Sequence, residues 1–165
     1  MNIHAAQSHL GRLDSMQRGF LHELGISEKD AFLNHNFAPL SLRREIGLLG
    51  FLHKRVLNQC HPAIAAMLPF ATHTTNPEWH TRQLYNHSYE TPCRVELFKR
   101  SILALVGIYN RLPQNCVDSP NVMVFQRTLT CMAKAFCEHD HPRWKVFLSP
   151  RSVHFQDGQF GVDYI

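Results

Sequence analysis

Residues 39–58 read PLSLRREIGLLGFLHKRVLN and carry the clearest helical pattern of the chain. Apolar residues recur there every three or four positions, as they do on one side of an amphipathic helix. The predicted buried side consists of Leu42, Ile46, Leu49, Leu52 and Val56. We expect this helix to lie in the core of an all-α chain. His53 falls on its apolar side and is predicted to be a core histidine that bonds a backbone carbonyl.

Two basic pairs lie opposite that apolar side. Arg43-Arg44 and Lys54-Arg55 are eleven residues apart, which is nearly three whole turns, or about 16 Å along the helix. Cations at this spacing can follow a phosphate backbone, and an aromatic ring between them can stack on a base. The candidate nucleic-acid-binding residues are therefore Arg43, Arg44, Phe51, Lys54 and Arg55. The alternative is a solvated polar face on which Phe51 packs against another helix.

Three shorter patterns flank this helix in the first half of the chain. His9–Leu24 places Leu13, Met16, Phe20 and Leu24 at helical spacing, and Gly25 follows where a helix would stop. This pattern predicts a first amphipathic helix, with Met16 as a residue that fills the core. Ser27 and Asp30 resemble a capping box that opens a short helix toward Asn34. A further brief helix is expected from His61 to Leu68, before Pro69.

The second half is predicted to contain a central helix and a final amphipathic one. Residues 94–110 include the run ILALVGI, which is so uniformly apolar that it should be buried on most sides. Pro113 ends this helix, and Ser119 with Pro120 supplies an N-cap and a first-turn proline for the next. The apolar face of that last helix consists of Val122, Phe125, Leu129, Met132 and Phe136.

The stretch between these halves, residues 72–92, lacks sustained periodicity and is rich in Thr, Asn, His and Pro. It is predicted to be a long loop, with Trp79, Leu84 and Tyr85 as the points that contact the core. We therefore expect a single helical domain over residues 1–147, with about five helices in an irregular, loosely packed array. Residues 148–165 are expected to form an irregular, unstructured tail.

Composition restricts the class of protein. The chain has 165 residues, the length of one domain, and a formal charge of +4 from 17 Lys and Arg against 13 Asp and Glu. This mild excess permits a nucleic acid or an acidic surface as partner. Five cysteines without a pairing rhythm indicate a reducing, intracellular compartment, nuclear or cytoplasmic. No segment is predicted to direct export or to enter a membrane.

A cluster near the C-terminus could suggest zinc. Cys131, Cys137, His139 and His141 provide thiolates and imidazoles, the usual zinc ligands. However, their spacing matches no common structural zinc site, and the preferred interpretation makes both cysteines small core residues of a helix. We therefore predict no metal and no cofactor.

Four blocks of the chain carry a family resemblance. They are residues Leu13–Ile26, Leu40–Leu57, His80–Asn86 and Phe98–Leu129. In order and spacing they resemble the region that follows the polymerase core in reverse transcriptases of non-LTR, LINE-like retrotransposons. Two positions depart from that pattern: Tyr109 stands where the family commonly has Trp, and Gln126 precedes Arg127 where Phe-Lys is often found.

The resemblance implies a C-terminal, post-palm helical fragment of an RNA-directed DNA polymerase that contacts RNA or an RNA–DNA duplex through phosphates. The missing polymerase core would be a further partner. Polymerisation needs carboxylates that hold two metal ions about 3.5–4 Å apart, and this chain has no adjacent Asp-Asp. We therefore predict no catalytic residue and no enzyme activity for the chain by itself. The alternative is a stand-alone helical protein-interaction module, or a decayed mobile-element fragment without activity.

Overall fold

The protein is described here by a computed structural model that covers residues 7–72, 81–86 and 101–149. The predicted all-α class is confirmed. The described ranges contain a 3₁₀ helix, Ile102–Leu105, and seven α-helices: α1 (Gln7–Glu23), α2 (Glu28–His35), α3 (Leu40–Val56), α4 (Pro62–Met67), α5 (Val106–Tyr109), α6 (Gln114–Val117) and α7 (Val122–Glu138).

The helix ends in the first half lie where the sequence predicts them. Gly25 follows α1 with a φ of 65°, a left-handed conformation that favours glycine. The side chain of Ser27 caps α2 by accepting a hydrogen bond from the backbone N–H of Asp30. The side chain of His61 likewise accepts from the N–H of Ala63 at the start of α4. Local capping therefore fixes these boundaries.

The core forms around α3, which packs mainly on α7. All five apolar residues predicted for the inner side of α3 are buried. On α7, Phe125 and Leu129 are fully buried, and Met132 and Phe136 pack against the core from its edge. Gly50 allows the close approach of the two helices, because a Cβ atom there would lie 2.3 Å from Nε2 of Gln126.

The predicted central helix differs from the structure in form. Residues 94–100 lie outside the described ranges, and the part from Ile102 onward is a 3₁₀ helix that passes into the single turn α5. Leu105, Val106 and Ile108 are nevertheless buried, as expected of this apolar run.

The start of the last helix is also corrected. Asn121, and not Ser119, is the N-cap of α7, and its Oδ1 accepts from the N–H of Val124 at 2.9 Å. Ser119 is buried, and its carbonyl oxygen is bonded to the ring of His53. The chain is therefore still in the core at Ser119 and leaves the core before α7 begins. Helix α6, which the sequence analysis did not predict, lies between Pro113 and Ser119.

The predicted orientation of α1 is wrong. Its stripe of Leu13, Met16, Phe20 and Leu24 is exposed. The side of α1 that meets the rest of the protein carries the buried Leu21 and polar contacts instead. Gln17 donates to the carbonyl of Ala38 and accepts from the N–H of Leu40, so hydrogen bonds to the chain before α3 determine how α1 lies.

The middle loop and the tail are partly described. Trp79 lies outside the described ranges, but Leu84 is fully buried, as predicted, and pairs with Phe70 in an isolated antiparallel bridge. Beyond α7, Trp144 stacks on Phe32 with ring centroids 5.5 Å apart. Leu148 is also part of the core, one residue past the predicted domain limit. Residues 150–165 of the predicted tail lie outside the described ranges.

The inner side of α3 should dominate the stability of the fold. Leu49→Ala removes a fully buried side chain, so we expect it to lower the free energy of unfolding by about 2–5 kcal/mol in urea denaturation. Met123→Ala on α7 is the matched control, because Met123 is 74% exposed and should change that energy by less than about 0.5 kcal/mol. Equal losses in the two variants would contradict this packing.

Candidate nucleic-acid interface

The exposed side of α3 presents two of the four predicted cations. Arg43 and Lys54 are exposed, and at about 100° per residue they point within about 20° of each other. Neither side chain makes an ion pair or a hydrogen bond with another residue of the described ranges. Phe51, which lies between them along the chain, is 36% exposed. The structure therefore keeps these three side chains together at the surface.

Arg44 is partly removed from this group by an ion pair. Nη2 of Arg44 lies 2.9 and 3.0 Å from the two carboxylate oxygens of Asp14 on α1. Both side chains are only about a quarter exposed. The positive charge of Arg44 is thus compensated within the protein, so Arg44 contributes less to the binding of an anionic ligand.

The position of Arg55 contradicts its predicted place on the exposed side. It is 7% exposed, and its Nε donates to the carbonyl of Leu68 at 2.9 Å. Its Nη1 donates to Oδ1 of Asn58, and its guanidinium lies 4.2 Å from the ring centroid of Phe70. The segment after α4 covers this side of α3, so Arg55 stabilises the fold instead of contacting a ligand.

A cation that the sequence did not assign lies on the neighbouring helix. Arg127 is exposed and follows Gln126, whose side chain lies against Gly50 of α3. On α7 it points about 100° away from Gln126, so it is an exposed cation of the helix that packs on α3. Sequence reasoning did not assign Arg127, because the apolar pattern of α7 predicts its inner side but not which helix packs on that side.

The rotation of α3 is held by His53, whose predicted role is confirmed. His53 is fully buried; its Nε2 lies 3.0 Å from the carbonyl oxygen of Ser119 and its Nδ1 3.0 Å from the hydroxyl of Tyr109. Because a carbonyl only accepts, Nε2 donates, and the neutral ring then accepts from Tyr109 at Nδ1. The ring also stacks on Phe125, 4.1 Å between centroids and 6° between planes.

Burial sets the protonation of this cluster. It lowers the pKa of His53 from 6.5, although the hydrogen bond to Ser119 acts in the opposite direction. Burial also raises the pKa of Tyr109. Both side chains are therefore neutral at pH 7, as a solvent-excluded hydrogen-bonded pair should be.

The cysteines near the C-terminus occupy different surroundings. Cys137 is fully buried in the core, as predicted, whereas Cys131 is exposed, so the expectation that it packs in the core is wrong. In the part of the chain that the structure describes, no group of three or more His, Cys, Asp or Glu residues is arranged to hold a metal ion. Among the described cysteines Cys116 is buried as well, and burial raises the pKa of its thiol to about 11.

No protein-family model, curated protein or solved structure matches this chain. Among the helices of the described ranges, none has the length and apolar character needed to cross a membrane.

The histidine cluster predicts a specific pH dependence. The pKa of His53 is lower in the folded protein than its ordinary value of 6.5, so the unfolded chain takes up the proton first. Its contribution to stability is therefore complete above pH 6.5 and is lost progressively as the pH falls below that value toward the folded pKa.

The test compares the wild type with His53→Gln, which cannot titrate, in urea denaturation at several pH values from 7.5 to 5. The other eleven of the twelve histidines are common to both proteins, so the difference in unfolding free energy isolates His53. We expect the advantage of the wild type to shrink toward pH 5. A difference that stays constant, or grows, would show that His53 is not held neutral by burial.

Proposed function

We propose that this chain is a non-catalytic helical module that contacts RNA or an RNA–DNA duplex through phosphates, using the exposed side of α3. The observation that carries the proposal is the pair Arg43 and Lys54, exposed on one side of a rigid helix about 16 Å apart. Phe51 between them offers a partly exposed ring for a base. Arg127 of α7, the helix that packs on α3, is a further exposed cation.

The small number of charges sets the strength of the proposed contact. Each phosphate neutralised by Lys or Arg releases condensed counterions, so affinity falls as salt rises. With Arg55 buried and Arg44 paired, two cations of α3 are left, and the expected binding is weak, salt-sensitive and independent of base sequence. Such a contact suits a module that positions a nucleic acid for another domain.

The salt dependence of RNA binding tests the surface. Fluorescence anisotropy with a labelled RNA–DNA duplex and an RNA hairpin should give a linear fall of log affinity with log salt. The double variant Arg43→Gln, Lys54→Gln should reduce the magnitude of that slope by about 1 to 2 units, because two phosphate contacts are lost.

The matched control removes the same charge elsewhere. Lys29→Gln with Lys145→Gln lowers the net charge by the same amount, but these lysines pair with Asp140 and Glu28 where the chain leaves α7. We expect the slope to stay near that of the wild type. An equal reduction in both double variants, or no binding at low salt, would refute the proposed surface.

The resemblance to the post-palm region of non-LTR reverse transcriptases gives this module its proposed setting. There, the polymerase core would supply the paired aspartates, and this chain alone would extend no primer. An in-frame coding sequence for a polymerase core with an Asp-Asp turn, upstream of Met1 in the genomic DNA, would support this setting. A closed upstream frame would leave the stand-alone module as the proposed form.

A further inference from the structure

Helix α1 exposes a continuous apolar stripe that nothing in the described ranges covers. Leu13 is 48%, Met16 70%, Phe20 53% and Leu24 53% exposed. The spacings of three and four residues place Leu13, Met16 and Phe20 on one side of α1. Leu24, directly after the last residue of α1, continues that side over a total of about 16 Å, because its N–H still bonds to the carbonyl of Phe20. Scattered exposed apolar residues are ordinary, whereas a contiguous patch of large ones marks an interaction site.

The stripe is separate from the side that attaches α1 to the rest of the protein. The attachment uses the buried Leu21 and the polar contacts of Asp14 and Gln17. At about 100° per residue, the centre of the stripe lies about 90° around the helix from that side. Within the described ranges, the apolar stripe is therefore open to a second molecule while α1 stays docked.

The edge of the stripe away from the body carries complementary charges at its two ends. Arg12 and Glu23 are both exposed there, and neither forms an ion pair with another residue of the described ranges. They are eleven residues apart, about 16 Å, which is too far for them to meet within one helix. Gly19 lies on the same edge between them, and nothing lies within 4 Å of the position that its Cβ would take.

We propose that this chain forms a two-fold symmetric dimer in which the α1 helices of two copies pair antiparallel through this stripe. A two-fold axis beside Gly19 brings Leu13 of each copy level with Leu24 of the other. Measured along the helix, Arg12 of each copy then lies within about 3 Å of the level of Glu23 of the other copy. The charges thus match twice, as an isologous interface requires. A parallel pair would place like charges together.

Three further properties fit this arrangement. The macrodipoles of antiparallel helices oppose each other, which favours pairing. Gly19 points about 100° away from the centre of the stripe, so it leaves that edge of the interface, near the axis, without a side chain. The stripe is smaller than a standard protein interface, so the dimer should be weak and dependent on concentration, with a dissociation constant in the micromolar range.

Sedimentation velocity over a range of concentrations tests the dimer. The mass should rise from that of the 19.1 kDa monomer toward twice that value. Met16→Glu places a charge in the stripe and should abolish the rise. Met123→Glu, at an equally exposed methionine of α7, is the control and should leave it unchanged; circular dichroism confirms that both variants fold. A monomer at every concentration, or equal behaviour of the two variants, overturns the proposal.

Charge reversal tests the antiparallel register. Arg12→Glu alone and Glu23→Arg alone should each weaken dimerisation about tenfold, because each creates two like-charge contacts. The double variant, with both residues exchanged, should restore the dimer. If the single variants weaken the dimer and the double variant does not restore it, the antiparallel pairing is wrong. Single variants that leave dimerisation unchanged would also show that the antiparallel pairing is wrong. A larger assembly than a dimer would overturn the two-fold arrangement.

Discussion

The buried ring of His53 is the constraint on which the arrangement of the helices depends. It joins α3 to Tyr109 of α5, to Phe125 of α7 and to the carbonyl of Ser119 before α7. Leaving either ring nitrogen without a partner in the core would be costly, so α3 has one favourable rotation about its axis. That rotation places the next residue, Lys54, at the surface, about 100° away. The exposed side of α3 is thus a consequence of how its core side is bonded.

The sequence was sufficient to predict α3 because its signals agree. The apolar period and the single histidine on the apolar side indicate the same inner face, the proline before the helix indicates its start, and each is confirmed. For α1 the same reasoning failed, because an apolar stripe shows only that a helix has two sides. Which side meets the core was decided by Gln17 and its hydrogen bonds to the chain before α3, contacts between residues far apart in sequence.

The candidate site was predictable only in part for a related reason. A helical wheel places Arg43, Arg44, Lys54 and Arg55 opposite the apolar residues, but it shows one helix only. It cannot show which other parts of the chain cover these side chains. In the structure, Leu68 and Phe70 cover Arg55, and Asp14 of α1 neutralises Arg44. The packing of α7 on α3 likewise follows from no single helix. The parts of a site that depend on one helix follow from sequence, and those that depend on two do not.

The ion pair between Asp14 and Arg44 links the two proposed surfaces. A cation that could have strengthened contact with phosphates instead anchors α1 against α3, and this anchor leaves the apolar stripe of α1 facing outward. The partly exposed pair contributes little stability by itself, but with Gln17 and Leu21 it determines which side of α1 is free. A weak nucleic-acid contact on each copy would also gain from pairing of the copies, because a second contact on the same strand becomes an intramolecular event. The loss of charge on α3 and the exposure of α1 are therefore compatible parts of one arrangement.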